Sequence, residues 1–110
     1  GKAVEGWMPY RGSWYYMQPG NAQMRTGWIN DGTGWYLLSN SGAMRSGGWV
    51  QDNGNWYWLD GNGKMLTGWL QTGGAWYWLN PGNGRMTVGT ATVDGRASQF
   101  APSGRWLGYA

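Results

Sequence analysis

Two series of tryptophans run along the chain at intervals of about 21 residues: Trp7, Trp28, Trp49 and Trp69, then Trp14, Trp35, Trp56 and Trp76. Each member of the first series precedes its partner in the second by 7 residues. A methionine follows each pair, at Met24, Met44, Met65 and Met86. The chemistry such a set offers is that of ring faces. An exposed indole stacks on a flat apolar surface or takes a cation against its quadrupole. A fixed ruler in a short chain means one small unit copied along an axis, so the same chemical surface is presented several times.

Other chemistries have little to work with. The 110 residues contain no His and no Cys, which removes the commonest general base, the commonest metal ligand and any disulfide. The only carboxylates are Glu5, Asp31, Asp52, Asp60 and Asp94. Asp31 and Asp52 occupy similar places in successive repeats, which suits turns better than a facing acid–base pair. The expectation is therefore a module that is not an enzyme, with no metal and no cofactor; a catalytic domain upstream in a parent protein is compatible with it. The net charge of +3 comes from scattered Lys and Arg, without the basic stripe of a nucleic-acid surface. No apolar run approaches the roughly 18 residues that span a bilayer, so membrane insertion is not expected. Gly1-Lys2-Ala3-Val4 leads straight into the first repeat, as in a processed or excised module, without a signal peptide.

The ruler implies the elements that must position the rings. Gly makes up 22 of the 110 residues, about three times its ordinary share, and the abundant aromatics argue against disorder. The repeats align as 7–27, 28–48, 49–68 and 69–89, followed by a degenerate C-terminal cap at 90–110. In the third, Asp52-Asn53-Gly54 separates two short apolar runs, the strongest short signal for a hairpin with a type I′ turn. Each repeat is thus predicted to be one β-hairpin. Alternation puts Trp56 and Trp58 on one face and Tyr57 and Leu59 on the other. Tyr15, Tyr36, Tyr57 and Tyr77 are expected to fill the core. In the cap, Thr90 and Ala97 replace the ruler tryptophans, Ser98 and Gln99 replace the next two aromatic positions, and Trp106 falls where Met was.

Gly27-Trp28…Trp35-Tyr36-Leu37-Leu38…Gly42-Ala43-Met44 and Gly48-Trp49…Trp56-Tyr57-Trp58-Leu59…Gly63-Lys64-Met65-Leu66-Thr67-Gly68-Trp69 closely resemble the choline-binding repeat of Gram-positive surface proteins and phage lysins. The match is strong over residues 6–89 and weak beyond. The resemblance implies an all-β, left-handed solenoid of about five stacked hairpins. It also implies sites between consecutive repeats: both ruler tryptophans of one repeat, the third-position aromatic of the next, and the intervening Met. On this chain that gives two complete cages, Trp28, Trp35 and Trp58 with Met44, and Trp49, Trp56 and Trp78 with Met65. Trp7 with Trp14 meets Leu37, and Trp69 with Trp76 meets Gln99, so both are expected to be partial sites.

The implied ligand is choline or phosphocholine on teichoic and lipoteichoic acids. A quaternary ammonium has no N–H to donate and is held by ring faces, with Met as a soft apolar wall. Three rings at about 0.5–2 kcal/mol each give roughly 2–6 kcal/mol gross. Ordering costs bring this near the ~4 kcal/mol of a millimolar site, so attachment depends on several sites engaging one polymer. The implied location is secreted and held at the Gram-positive cell surface; oligomeric state is left open. The rival is glucan binding by Trp stacking on the same hairpin architecture, and a structural spacer is the third reading.

Overall fold

The computed structural model describes residues 5–110; the Gly1-Lys2-Ala3-Val4 segment discussed above lies outside them. Among the described residues the regular elements are strands and no helix. β1 (Gly6–Tyr10) pairs with β2 (Ser13–Met17), β3 (Gly27–Asn30) with β4 (Trp35–Leu38), β5 (Gly48–Asp52) with β6 (Asn55–Leu59), and β7 (Gly68–Thr72) with β8 (Ala75–Leu79). Each pair is a two-stranded sheet. β9 (Gly89–Val93), β10 (Arg96–Phe100) and β11 (Trp106–Tyr109) form a three-stranded sheet with β10 in the centre. The all-β hairpin repeat expected from the sequence is the fold observed.

The turns are those the sequence asks for. Asn53 and Gly54 both have positive φ, 49° and 82°, the signature of a type I′ turn whose twist matches that of the strands it joins. Arg11-Gly12, Gly73-Gly74 and Asp94-Gly95 repeat it. The β3–β4 connection is longer. There the Asp31 and Asn30 side chains accept the backbone N–H groups of Thr33 and Gly32, each at 2.8 Å.

An isolated hairpin is marginal in water, and the methionine segments supply what it lacks. The Met44 N–H donates to the Trp14 carbonyl at 2.7 Å, and the next N–H, of Arg45, donates to Leu37 at 2.9 Å. The N–H groups of Met65 and Met86 bond the carbonyls of Trp35 and Trp56, both at 2.8 Å. Successive N–H groups of an extended chain point to opposite sides. One therefore reaches the preceding hairpin while the other closes the segment's own.

The chain divides into two compact units: residues up to Gly48 with Leu59–Met65, and Trp49–Trp58 with Leu66–Ala110. In the first, Tyr16, Ile29 and Leu38 form a buried cluster, with Trp7, Tyr36 and Met44 packed against it. In the second, Val50, Tyr57, Leu79, Val93 and Phe100 are buried. Of the tyrosines expected in the core, Tyr57 is buried, whereas Tyr15, Tyr36 and Tyr77 are only partly so. The last two have a further position to fill, described next.

Candidate functional site

The second-series tryptophans reach solvent: Trp14, Trp35, Trp56 and Trp76 are 39–45% exposed. The first-series rings stand more deeply, half-buried beside them. Cross-strand register explains which other rings they meet. In the fourth hairpin Trp69 lies opposite Trp78, Leu70 opposite Tyr77 and Gln71 opposite Trp76. In the first, Trp7 lies opposite Tyr16 and Met8 opposite Tyr15. Residues directly opposite on an antiparallel pair share a face. The third-position residue therefore stacks on the first tryptophan of its own hairpin, and the second-position tyrosine points the other way, toward the preceding repeat.

The ring contacts follow this rule within each unit. Trp7 meets Tyr16 of its own hairpin and Tyr36 of the next, both with centroids 5.1 Å apart and edge-to-face. Trp49 meets Trp58 at 5.3 Å and Tyr77 of the next hairpin at 5.0 Å. Trp69 meets Trp78 at 5.1 Å. Rings near right angles leave an open corner between faces.

In the second unit, Trp49, Trp56, Tyr77 and Met86, with Pro102 and Ser103, line a cavity of about 350 Å³. In the first unit, Trp7, Trp14 and Tyr36, with Asp31, Gly61 and Asn62, line one of about 380 Å³. The two share a plan. One repeat gives both ruler tryptophans, the next gives the tyrosine, and the loop of the one after closes the rim. Met86 is held down by Gly104: a Cβ there would fall 2.3 Å from its Sδ, and the φ of +91° also favours glycine. Trp28 and Trp35 line a more polar cavity with Gln18, Arg25 and Asp31 among its walls.

Several residues expected in the two cages lie in other ring groups. The cavity at Trp49 and Trp56 is closed by Tyr77 and Met86, while Trp78 packs on Trp69 and Met65 bonds the Trp35 carbonyl. The Met44 N–H bonds the Trp14 carbonyl, and its side chain packs on the cluster of Tyr16, Ile29 and Leu38. Trp58 stacks on Trp49 of its own hairpin. The pair Trp7 and Trp14, expected to be partial because position 37 is Leu, receives its third ring from Tyr36. The pair Trp69 and Trp76 faces Trp106 and Tyr109 across a cavity of about 210 Å³. Counting outward from each two-residue turn gives this register from sequence alone. No local pattern announces the rim loops.

Asp31 is the one functional candidate assigned only a turn role by its sequence. Its Oδ1 accepts the Thr33 backbone N–H at 2.8 Å and hydroxyl at 2.6 Å, while its Oδ2 accepts the Trp7 indole N–H at 2.9 Å. Desolvation pushes its pKa up, but the hydrogen bonds from Thr33, Trp7 and Gly34 outweigh it and bring the value down to about 2. The carboxylate is thus ionised at neutral pH and places a negative charge on the wall of the Trp7 cavity. Because the folded pKa lies below the ordinary 3.8, its stabilising contribution is present above that value and is lost as pH falls toward about 2. Thermal midpoints measured down that range are expected to fall more steeply for the native chain than for Asp31→Asn. Parallel curves would show that the hydrogen bonds Asp31 accepts from Thr33 and Trp7 add nothing to stability.

The choline-binding repeat family matches residues 46–90, and the cell wall binding repeat family matches residues 26–44. A comparison with curated protein sequences finds no match. Among solved structures, CbpJ from Streptococcus pneumoniae TIGR4 is 40% identical with a TM-score of 0.88, over 94% of this chain and 35% of that one. Choline binding protein F from Streptococcus pneumoniae is 38% identical with a TM-score of 0.87, again over 94% of this chain and 35% of its own. The chain thus spans about a third of the length of these two proteins. The choline binding domain of Spr1274 in Streptococcus pneumoniae is 30% identical with a TM-score of 0.65, over 76% of this chain and 95% of that domain. In its repeated hairpins, its matched repeats and its structural neighbours, the chain belongs to the choline-binding repeat family.

Proposed function

We propose that the chain is a non-catalytic attachment module that holds choline groups of teichoic and lipoteichoic acids, and so fixes a secreted protein to a Gram-positive cell surface. The observation that carries this is the recurrence of one aromatic corner: Trp7, Trp14 and Tyr36 in one unit, and Trp49, Trp56, Tyr77 and Met86 in the other. A trimethylammonium group fits such a corner because it offers methyl groups to ring faces and asks for no hydrogen bond. Trp28 and Trp35 are proposed to serve a further site. The similarity to choline binding protein F and to the choline binding domain of Spr1274 supports the same ligand.

Each site is expected to be weak, since about 2–6 kcal/mol of gross ring attraction is offset by ordering. Choline bound near its millimolar range would acquire strength only on a polymer that engages several cavities at once. Asp31 lines the cavities of both Trp7 and Trp28 and is bonded to the Trp7 indole. An indole N–H that donates to a carboxylate makes its ring face more negative, and the carboxylate itself attracts the cation.

The test is a choline chloride titration followed by tryptophan fluorescence and thermal midpoint, with ammonium chloride and glucan oligomers as controls. A saturable fluorescence change in the millimolar range, with a midpoint that rises with choline, is expected. A response to glucan and none to choline would place the chain in the sugar-binding branch instead.

A further inference from the structure

The cap is where the repeat pattern fails in sequence, yet a cavity lined by aromatic residues alone lies there. Trp69, Trp76, Trp106 and Tyr109 line it. In a complete repeat the corner would be closed by a tyrosine at position 98 and a methionine at position 106. The chain has Ser98 and Trp106 there. β11 makes good both changes. Trp106 lies opposite Phe100 as Met86 lies opposite Leu79, so it takes the methionine's place in the ladder. Tyr109 lies opposite Ser98, so its ring is on the face from which the missing tyrosine would have projected.

Trp106 and Tyr109 are three residues apart and in a regular strand would face opposite sides. A bulge prevents this. Gln99 pairs with Gly108 and Phe100 with Trp106, so Leu107 is left out of the ladder, 60% exposed, and Gly108 takes a φ of +124°. The Arg96 guanidinium rests 3.5 Å from the centroid of the Tyr109 ring and holds it in place. The result is a set of rings at near right angles: Trp69 to Trp76 at 87°, Trp69 to Trp106 at 76° and Trp106 to Tyr109 at 77°.

A second observation points to the rings themselves as the reason for this arrangement. Among the described residues, the Trp106 indole nitrogen is buried without a hydrogen-bond partner. Such a donor is costly, and a phenylalanine would avoid it while still covering the end of the stack. Tryptophan keeps the larger and more negative face on the cavity.

We infer that β11 rebuilds, from outside the repeat, an additional quaternary-ammonium site on Trp69, Trp76, Trp106 and Tyr109. The inference rests on the choline reading proposed above, and the ligand class is the same: choline or the choline end of a phosphocholine ester. The experiment follows the indole N–H signals of the full chain in ¹H–¹⁵N spectra during titration with choline chloride, against an ammonium chloride control. Trp14, Trp56 and Trp76 each report a different cavity. In the native chain all three are expected to shift saturably. In Tyr109→Leu the apparent constant at Trp76 is expected to weaken about tenfold while Trp14 and Trp56 titrate as before. Tyr109 is 49% exposed, so this variant should fold. Trp106→Phe is expected to raise the thermal midpoint by removing the orphaned donor and, in the same protein, to weaken the Trp76 response. If Trp14 and Trp56 respond and Trp76 does not, or if Trp76 titrates identically in Tyr109→Leu, β11 only caps the stack and the inference is overturned. If none of the three responds, the choline reading fails with it.

Discussion

Trp56→Ala is expected to empty the cavity it shares with Trp49, Tyr77 and Met86 and to leave the fold intact. Trp56 is 39% exposed, so its loss opens no sealed cavity. Its ring is one of the three aromatic walls of that site. Removing one ring is worth about 0.5–2 kcal/mol, or roughly 2- to 30-fold in affinity. A millimolar site would then be largely vacant at concentrations that fill the others. The larger effect is on polymer attachment, because a lost site removes its effective-concentration gain as well as its own contacts. On a choline-bearing resin the variant is expected to elute at clearly lower free choline than the native chain, with an unchanged thermal midpoint in the absence of ligand. Identical elution would mean that the exposed indole is not part of a choline site. The expectation applies equally to Trp14 in the first unit, where Asp31 adds a charge to the ring pair.

Leu79→Ala is expected to be the most damaging single truncation. Leu79 is 0% exposed, and its backbone bridges to Met86, the residue whose N–H holds the segment to Trp56. Cutting a buried leucine to alanine costs about 2–5 kcal/mol through lost transfer energy and the cavity left behind. Whole domains have only about 5–15 kcal/mol of stability, and a stack of hairpins has no thick core in which to spread the loss. Urea or thermal unfolding should show the midpoint reduced by about 10 °C or more. Leu107→Ala, at the 60% exposed residue of the bulge, should change it little, within about 0.5 kcal/mol. Equal effects of the two substitutions would mean that the buried Leu79 is not what seals the second unit around the Met86 segment.

Much of this is legible in the sequence. Asn53-Gly54 needs positive φ at both residues and finds it, so the hairpin and its pairing were readable from two letters. The same turn fixes the register within the hairpin. Counting back from Gly73-Gly74 sets Trp69 against Trp78 and leaves Tyr77 on the other face. The family resemblance places Trp78 in the cage at Trp49, a grouping that this register does not give. The methionines show a different limit. Met86 lines the cavity of the repeat before it because consecutive N–H groups reach two different hairpins, and the ruler alone does not say which of the two its side chain serves.

By itself the sequence determined the repeat, the hairpins, their turns and the identity of the ring pairs, because all of these depend on residues within about one turn or one strand of each other. The tertiary structure decided which tyrosine closes each corner, that Asp31 reaches the Trp7 indole across 24 residues of chain, and that Gly61 and Asn62 form the rim of a cavity begun at Trp7. It also decided that a bulge at Leu107 turns Trp106 and Tyr109 to one side. These depend on the offset between stacked hairpins and on a local break in alternation. Neither is set by periodicity, which fixes the face a side chain takes within its own hairpin but not what that face will meet.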